Sequence, residues 1–197
     1  KGYGKVRRLT QQMLQQLTWL LAQDAATQQR YIDLGLDTQK SQVVGNIKFD
    51  IDAPISFIEQ AQQLKQQWNL SNRQIITLAS THAPEEENLL KQLQPHLNAN
   101  PQLLCIVVPR HPERFDEVYK LCQNLNLNTQ RRSLKQAIQT DTQVFLADSM
   151  GEMWLWYALS QACFVGGSLN EPGGGHNILE PMVLDVPTVI GPRYFNF

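Results

Sequence analysis

The sequence has 197 residues, of which 42% are hydrophobic and 18% charged, and its formal net charge is −1. This composition is too apolar for a disordered chain, and the balanced charge argues against a nucleic-acid binder that works through bulk positive charge. No apolar run approaches the roughly 18 residues that a membrane span needs, and no signal peptide is recognisable. We therefore expect a soluble chain, and we expect it to be a fragment of a longer protein.

The first 46 residues differ in pattern from those that follow. Apolar residues at helical spacing predict a helix within residues 3–22 and a second helix that Gly35 would end. Val43 and Val44 then predict a short strand. Because this segment does not fit the alternation that begins at residue 47, we expect residues 1–46 to belong to a preceding domain or linker.

From residue 47 onward, short apolar strands alternate with helices. The predicted strands are 75–80, 103–108, 144–147, 162–165 and 188–190, and the predicted helices are 54–68, 84–97, 112–125, 151–159 and one from about Asn177. This alternation is typical of a parallel sheet covered on both faces, so the sequence predicts a doubly wound, Rossmann-like α/β fold over residues 47–197. The three cysteines have no paired spacing and are expected to be buried, reduced thiols, and no zinc-ligand spacing is present.

Small or polar residues follow the predicted strands, where ligands bind in a doubly wound sheet. They are Ser80, Thr81 and His82; Arg110 and His111; Met150, Gly151 and Glu152; Gly166, Gly167 and Ser168; and the loop 170–177. His82 and His111 are as consistent with structural hydrogen bonding as with ligand contact. Helix capping explains Glu152 as readily as function does, and the thioether of Met150 can pack on a planar base.

The loop that precedes the last predicted helix is the most informative. Glycines at 173–175 let the backbone approach a ligand, and free N–H groups at a helix start form a phosphate site. Pro181 is tolerated only in a first turn, so the helix should begin near Asn177. Asn177 and Glu180 then share one face, where a carboxylate can accept two ribose hydroxyls. The alternative is a glycine-rich turn in which Glu180 only complements the helix dipole. Neither a dinucleotide fingerprint nor a Walker A loop is present.

Arg110 follows an apolar strand directly and has a proline on each side of its turn. A guanidinium held in this way suits bidentate contact with a phosphate or a base edge. The alternative is a surface ion pair with Glu113 or Asp116.

These motifs together resemble a known family. The segments that carry the resemblance are GNIKFD at 45–50, STH at 80–82 with EE at 85–86, PRHPERF at 109–115, DSMGEM at 148–153, FVGGSL at 164–169, GGHNILEP at 174–181, and GP at 191–192 with FNF at 195–197. In this order they resemble the 3-deoxy-D-manno-octulosonic acid (Kdo) transferases of Gram-negative lipopolysaccharide synthesis.

The resemblance implies a glycosyltransferase of the two-domain GT-B architecture. Such an enzyme takes Kdo from CMP-Kdo and places it on the lipid A precursor (lipid IVA) with inversion, without a metal or other cofactor, at the cytoplasmic face of the inner membrane. Residues 1–46 would be the tail of the amino-terminal acceptor domain, and residues 47–197 would be most of the donor domain. The catalytic base, a glutamate, would lie upstream, so we expect no catalytic residue here. For the chain alone we expect no turnover and at best weak nucleotide binding.

The resemblance also implies roles for individual residues. Arg110 would contact the donor phosphate or the cytosine; Met150, Gly151 and Glu152 would line the cytidine pocket; Gly174, Gly175, His176 and Asn177 would hold the phosphate; Glu180 would hold the ribose; and Gly166, Gly167 and Ser168 would shape the pocket floor. Ser80, Thr81, His82 and His111 are further candidates for the pocket lining. The alternatives to a transferase are a sugar-nucleotide epimerase and a non-catalytic nucleotide-binding module.

Overall fold

The computed structural model describes residues 6–195, apart from the side chain of Ile47. Asn196 and Phe197, which belong to the last motif of the resemblance, lie outside the described residues. By its internal contacts the chain divides into two compact units, Lys1–Ile51 and Asp52–Phe197. The sequence pattern predicted an earlier boundary, between residues 46 and 47.

The first unit contains two helices and a two-stranded parallel sheet. Its elements are α1 (Arg7–Gln15), β1 (Leu20–Ala22), α2 (Ala25–Asp33) and β2 (Ser41–Val43), with β1 paired to β2. The Asp24 carboxylate caps α2 by accepting the Thr27 N–H at 2.6 Å, and Gly35, with φ of +105°, follows the helix end as predicted. The prediction of one helix within 3–22 is wrong at its end, because Leu20 and Leu21 form the strand β1.

The second unit is built around a six-stranded parallel sheet. Its elements are α3 (Ile55–Gln67), β3 (Gln74–Thr81), α4 (Glu85–Ala99), β4 (Leu103–Pro109), α5 (Phe115–Asn124), β5 (Thr129–Arg131), β6 (Val144–Leu146), α6 (Met153–Leu159), β7 (Ala162–Val165), α7 (Leu179–Val183) and β8 (Thr188–Ile190). The strand order is β5-β6-β4-β3-β7-β8. The fold is therefore the predicted parallel α/β fold.

Successive side chains of each strand point to opposite faces of this sheet, and both faces carry a hydrophobic core. Leu104 and Ile106 of β4 pack with buried residues of α3 and α6. Cys105 and Val107 of the same strand face the opposite side, where they pack with α4 and α5. Helices thus cover both faces, which is the doubly wound arrangement. All three cysteines are free and buried, as predicted.

Two elements differ from expectation. The edge strand β5 was not predicted, because its Thr-Gln-Arg sequence lacks an apolar run. Helix α7 begins at Leu179, two residues after Asn177, and has only five residues, with Pro181 in its first turn. Among residues 6–195, no helix combines the length and the apolar character needed to cross a bilayer.

The strand order also fixes where a ligand cleft lies. The chain leaves β3 toward β4 on one side and leaves β7 toward β8 on the other, while β3 and β7 are hydrogen-bonded neighbours. Connections that diverge in this way open a crevice beyond the carboxyl ends of the two strands. The residues that follow Thr81 and Val165 therefore occupy the place where this fold binds ligands.

Candidate functional site

The end of β3 bends just before this crevice. The pairing register of β3 with β4 shifts between Ala79 and Thr81. Ser80, between them, adopts a left-handed backbone with φ of +51°, which is uncommon for a residue other than glycine. On the adjacent strand, a Cβ on Gly166 would lie 2.5 Å from the Ser80 carbonyl oxygen and 2.7 Å from Thr81 Cα. Only glycine therefore fits at Gly166, and the two strand ends approach closely.

Three histidines from separate loops meet at the crevice. The Nε2 atoms of His82 and His176 are 2.6 Å apart, and their rings stack with centroids 4.9 Å apart and planes inclined by 11°. The His111 ring meets His82 edge-on at 5.0 Å. The structure thus brings together three sequence-predicted residues that are up to 94 positions apart in the chain.

His82 and His176 both favour their uncharged forms. Burial, and then the neighbouring His111, lower the pKa of His82. Burial, followed by His82 and Arg110, lowers the pKa of His176. A hydrogen bond between two Nε2 atoms holds a single proton, since one nitrogen must donate and the other accept. At neutral pH the pair therefore offers a hydrogen-bonding surface rather than two fixed positive charges.

A cavity of about 210 Å³ opens beside the paired histidines. It is lined by His82, Gly167, Asn170, Pro172, Gly173, Gly174, Gly175 and His176. Gly167 has φ of +69°, and a Cβ there would lie 2.9 Å from Cδ2 of the His176 ring, so the ring rests directly on the Gly167 backbone. The predicted glycine-rich loop and the predicted pocket floor therefore form one wall.

Several backbone N–H groups that were expected to bind a phosphate already donate hydrogen bonds within the protein. The Gly174 and Gly175 N–H groups donate to the Gly167 carbonyl at 3.1 and 2.9 Å, and the His176 N–H donates to the Gly166 carbonyl at 3.2 Å. Within residues 6–195, the backbone amides of Asn177 and Ile178 make no hydrogen bond, so these are the donors open to an anion at this end of the loop.

Asn177 and Glu180 meet as their spacing predicts. The Asn177 side-chain amide donates to the Glu180 carboxylate at 3.0 Å, while its carbonyl oxygen accepts the Leu179 N–H at 3.0 Å. Glu180 is half-buried. Burial raises its pKa, and the hydrogen bond from Asn177 opposes that effect. One carboxylate oxygen is thus oriented by a neighbour, as a hydroxyl-binding group requires.

The loop after β6 is fixed by two arginines that sequence reasoning missed. Arg131 Nε donates to the buried Asp148 carboxylate at 2.7 Å. Arg132 pairs with Glu152 at 2.6 Å, and Ser149 also donates to Glu152. Consecutive arginines at 131 and 132 were the available signal, but they lie at the edge strand that was not predicted.

These contacts determine which residues of the loop are held in place and which are exposed. Burial acts to raise the pKa of Glu152, but hydrogen bonds from Arg132 and Ser149 outweigh it, and the pKa is lowered. Glu152 occupies the N-cap position of α6 without a side-chain capping bond, so it is held by the ion pair instead. Met150 and Gly151 are exposed at the crest of the loop, and Met150 is 57% accessible.

Arg110 lies beside the histidines and is exposed. The residues proposed as its structural partners face elsewhere: Asp116 pairs with Arg131 at 2.7 Å, and Glu113 lies 3.8 Å from the His111 ring. In the part of the chain that the structure describes, no ion pair involves Arg110. Its charge contributes to the lowered pKa of His176, which places the guanidinium within electrostatic range of the cavity.

Glu85, the first residue of α4, was not among the predicted site residues. It is fully buried, and its carboxylate accepts N–H groups from His82 and from three residues of the loop after β7. The sequence signal was present in the run of three glutamates at 85–87, but acidic residues in a first turn are ordinarily explained by the helix dipole.

Fold and site together define a doubly wound α/β domain with a polar ligand cleft at its switch point. A family model described as "3-Deoxy-D-manno-octulosonic-acid transferase (kdotransferase)" matches residues 1–51. A crystal structure of the C-terminal CMP-Kdo binding domain of WaaA from Acinetobacter baumannii is 73% identical. That match covers 73% of this chain and 75% of that one, with a TM-score of 0.72. The chain therefore belongs to the 3-deoxy-D-manno-octulosonic acid transferase family.

Two curated relatives carry the same family name. The transferase from Haemophilus influenzae is 40% identical over 99% of this chain and 45% of its own length. The transferase from Bordetella pertussis is 35% identical over 79% of this chain and 36% of its own length. This chain thus spans less than half of the curated relatives that it matches.

Proposed function

We propose that this chain is mainly the donor-binding part of an inverting GT-B glycosyltransferase, which moves Kdo from CMP-Kdo to the lipid A precursor (lipid IVA). Its family membership supports the proposal, as does its 73% identity to a domain described as binding CMP-Kdo. The observation that carries it is the cleft itself. Paired histidines and a glycine loop line a cavity beyond the carboxyl ends of β3 and β7. The exposed Arg110 follows β4, and the oriented carboxylate of Glu180 lies in α7, directly after the glycine loop.

We assign each part of a cytidine monophosphate to residues that follow the carboxyl ends of the strands. Glu180, oriented by Asn177, would accept ribose hydroxyls. The free amides of Asn177 and Ile178 would donate to the phosphate, and Arg110 would add a positive charge beside it.

The cytosine would meet the loop after β6. Met150 would pack its thioether on the base, next to the open backbone of Gly151. Glu152 would take part only in the orientation that its ion pair with Arg132 allows. We propose this division of the donor among three loops because no single loop carries groups for all of its parts.

The chemical step follows from the donor. A base removes the proton of an acceptor hydroxyl, the oxygen forms a bond to the anomeric carbon of Kdo, and the bond from that carbon to the CMP phosphate oxygen breaks. The electron pair leaves with CMP. A donor aimed at charge that develops on a leaving group contributes about 3 kcal/mol, and we assign this role to Arg110.

The remaining parts of the proposal concern the whole protein. The catalytic base and the acceptor site would belong to the amino-terminal domain, and the protein would work at the cytoplasmic face of the inner membrane. No metal or other cofactor would take part. An epimerase or a non-catalytic nucleotide-binding module would differ in product: the first would convert free nucleotide sugar without a lipid acceptor, and the second would form no product.

Calorimetric titration of the 197-residue chain with CMP tests the donor assignment. We expect weak binding, and we expect Glu180→Gln to reduce the affinity about tenfold or more, because an amide cannot accept two hydroxyls as a carboxylate does. Glu87→Gln is the matched control, since Glu87 is exposed and pairs with Lys91 on α4. Equal affinities of the Glu180→Gln and Glu87→Gln variants would remove Glu180 from the site.

A further inference from the structure

Glu85 makes four hydrogen bonds that reach across the switch point. Its Oε2 accepts the N–H groups of His82 at 3.0 Å and Gly167 at 2.9 Å. Its Oε1 accepts the N–H groups of Ser168 at 3.1 Å and Leu169 at 3.0 Å. The side chain is fully buried, and within residues 6–195 no cationic side chain forms an ion pair with it. Backbone amides alone therefore satisfy this carboxylate.

Such an arrangement requires a carboxylate at this position. An ionised carboxylate is acceptor-only and has about four lone-pair sites, which the four N–H groups fill. A glutamine of the same shape would direct an NH₂ group at two of these donors, leaving buried polar groups unpaired. Hydrogen bonds to a charged group are also about twice as strong as those between neutral groups.

The amides that Glu85 holds belong to the wall of the candidate cleft. The Gly167 backbone supports the His176 ring, and the Gly167 carbonyl accepts the amides of Gly174 and Gly175. One carboxylate thus connects the end of β3, the loop after β7 and, through Gly167, the glycine loop. Gly166 leaves room for it, because a Cβ there would lie 2.8 Å from Oε2 of Glu85.

We propose that Glu85 is a positioning residue for the donor site, which holds the loop of residues 166–169, and with it the His82–His176 pair, in the arrangement that binds the nucleotide. The inference rests on the proposed function. It assigns Glu85 no contact with the donor, since its buried carboxylate is already surrounded by backbone amides.

The neighbouring Glu86 provides a matched control. It is equally buried, lies one residue further along α4, and pairs with Arg114 at 2.6 Å. Its partner belongs to the segment before α5 rather than to the cleft. Glu86→Gln therefore makes the same chemical change in the same turn of helix, at a carboxylate that is bound by Arg114 and not by the amides of the loop after β7.

The test compares Glu85→Gln with Glu86→Gln in the 197-residue chain. Backbone amide exchange is followed by NMR, CMP affinity by calorimetry, and stability by urea denaturation. We expect exchange at Gly167, Ser168 and Leu169 to rise at least tenfold in Glu85→Gln only, since these amides lose a charged acceptor. We also expect the CMP affinity to fall at least tenfold, whereas Glu86→Gln keeps it within twofold.

The outcomes separate this inference from the proposed function. If Glu85→Gln binds CMP as well as Glu86→Gln does, or leaves exchange at those three amides unchanged, the positioning role is wrong. If the unaltered chain does not bind CMP, the proposed function fails, and the exchange pattern alone decides whether Glu85 holds the loop. If Glu85→Gln does not fold, Glu85→Asp replaces it, with a smaller rise in exchange and a smaller loss of affinity expected.

Discussion

Two loops at the carboxyl edge of the sheet are anchored in opposite ways. The loop after β7 is held through its backbone, because its amides donate to Glu85 and Gly166 lies against the end of β3. The loop after β6 is held through its side chains, by Asp148 and Glu152 in ion pairs with consecutive arginines. Between those two anchors, Met150 and Gly151 remain exposed.

Because they are anchored differently, the two loops differ in rigidity and are suited to different roles. A backbone fixed by buried hydrogen bonds keeps one shape, which suits the wall that carries His176. A crest fixed only at its ends leaves Met150 free to change rotamer, and an unbranched thioether adapts to the surface that it meets. Under the proposed function, the rigid loop would hold the phosphate side of the donor, and the exposed Met150 would pack on the base.

The largest effect should come from removing the buried anchor of the loop after β6. The Asp148 carboxylate accepts hydrogen bonds from Arg131 and also from the backbone N–H and the hydroxyl of Ser133. Asp148→Ala removes this shared acceptor, and breaking a buried pair in this way costs about 4 kcal/mol of unfolding free energy. Asp116→Ala is the control, because it removes the other carboxylate that pairs with Arg131. The Asp116 side chain is 77% exposed, so this substitution should lower the unfolding free energy by less than about 0.5 kcal/mol. Urea denaturation measures both. Equal losses would show that burial does not distinguish the two carboxylates.

A slightly smaller loss of stability is expected when a glycine of the loop after β7 is replaced by alanine, and a still smaller loss at a glycine of the loop after β6. A methyl group at Gly166 meets backbone atoms of Ser80 and Thr81 that cannot move aside, so Gly166→Ala should lower the unfolding free energy by about 3 kcal/mol. Gly151 has φ of +82° and open space around its Cβ position, so Gly151→Ala should lose only about 1 kcal/mol from backbone strain. A Gly166→Ala variant as stable as Gly151→Ala would contradict the close approach of β3 and β7.

The smallest effect concerns pH and the histidines that rest on the loop after β7. The folded-state pKa values of His82 and His176 lie below the ordinary 6.5. The unfolded chain therefore binds more protons as the pH falls through 6.5, and stability decreases from about pH 7 downward until the folded pKa values are reached. Urea midpoints at pH 7.5 and 5.5 measure this difference. The difference in urea midpoint between the two pH values should shrink in His176→Asn. It should persist in the control variant His96→Gln, because His96 is exposed on α4.

Local patterns predicted most of the fold. Apolar strands such as 103–108 were evident because both faces of the sheet are buried. The errors arose where neighbours decide the structure: Leu20 and Leu21 fit a helical spacing but pair with β2, and the polar β5 is a strand only because β6 lies beside it.

The candidate site shows the same limit. The contact between Asn177 and Glu180 followed from a three-residue spacing, so the sequence was sufficient to predict it. Glu85 was missed because its partners lie as far as 84 residues away, and a first-turn glutamate has an ordinary local explanation. Arg132 was missed for a similar reason, since its partner Glu152 is 20 residues distant.

The three cysteines make the molecule convenient for spectroscopy. Cys105, Cys122 and Cys163 are at most 3% accessible, and burial raises the pKa of Cys122 to about 11 and also raises that of the other two. Alkylating reagents attack the thiolate, so these thiols should stay unmodified while the chain is folded. A cysteine introduced at the exposed Met150 would then accept a fluorophore selectively, without prior removal of the native thiols, and its emission would report whether a base stacks on that crest.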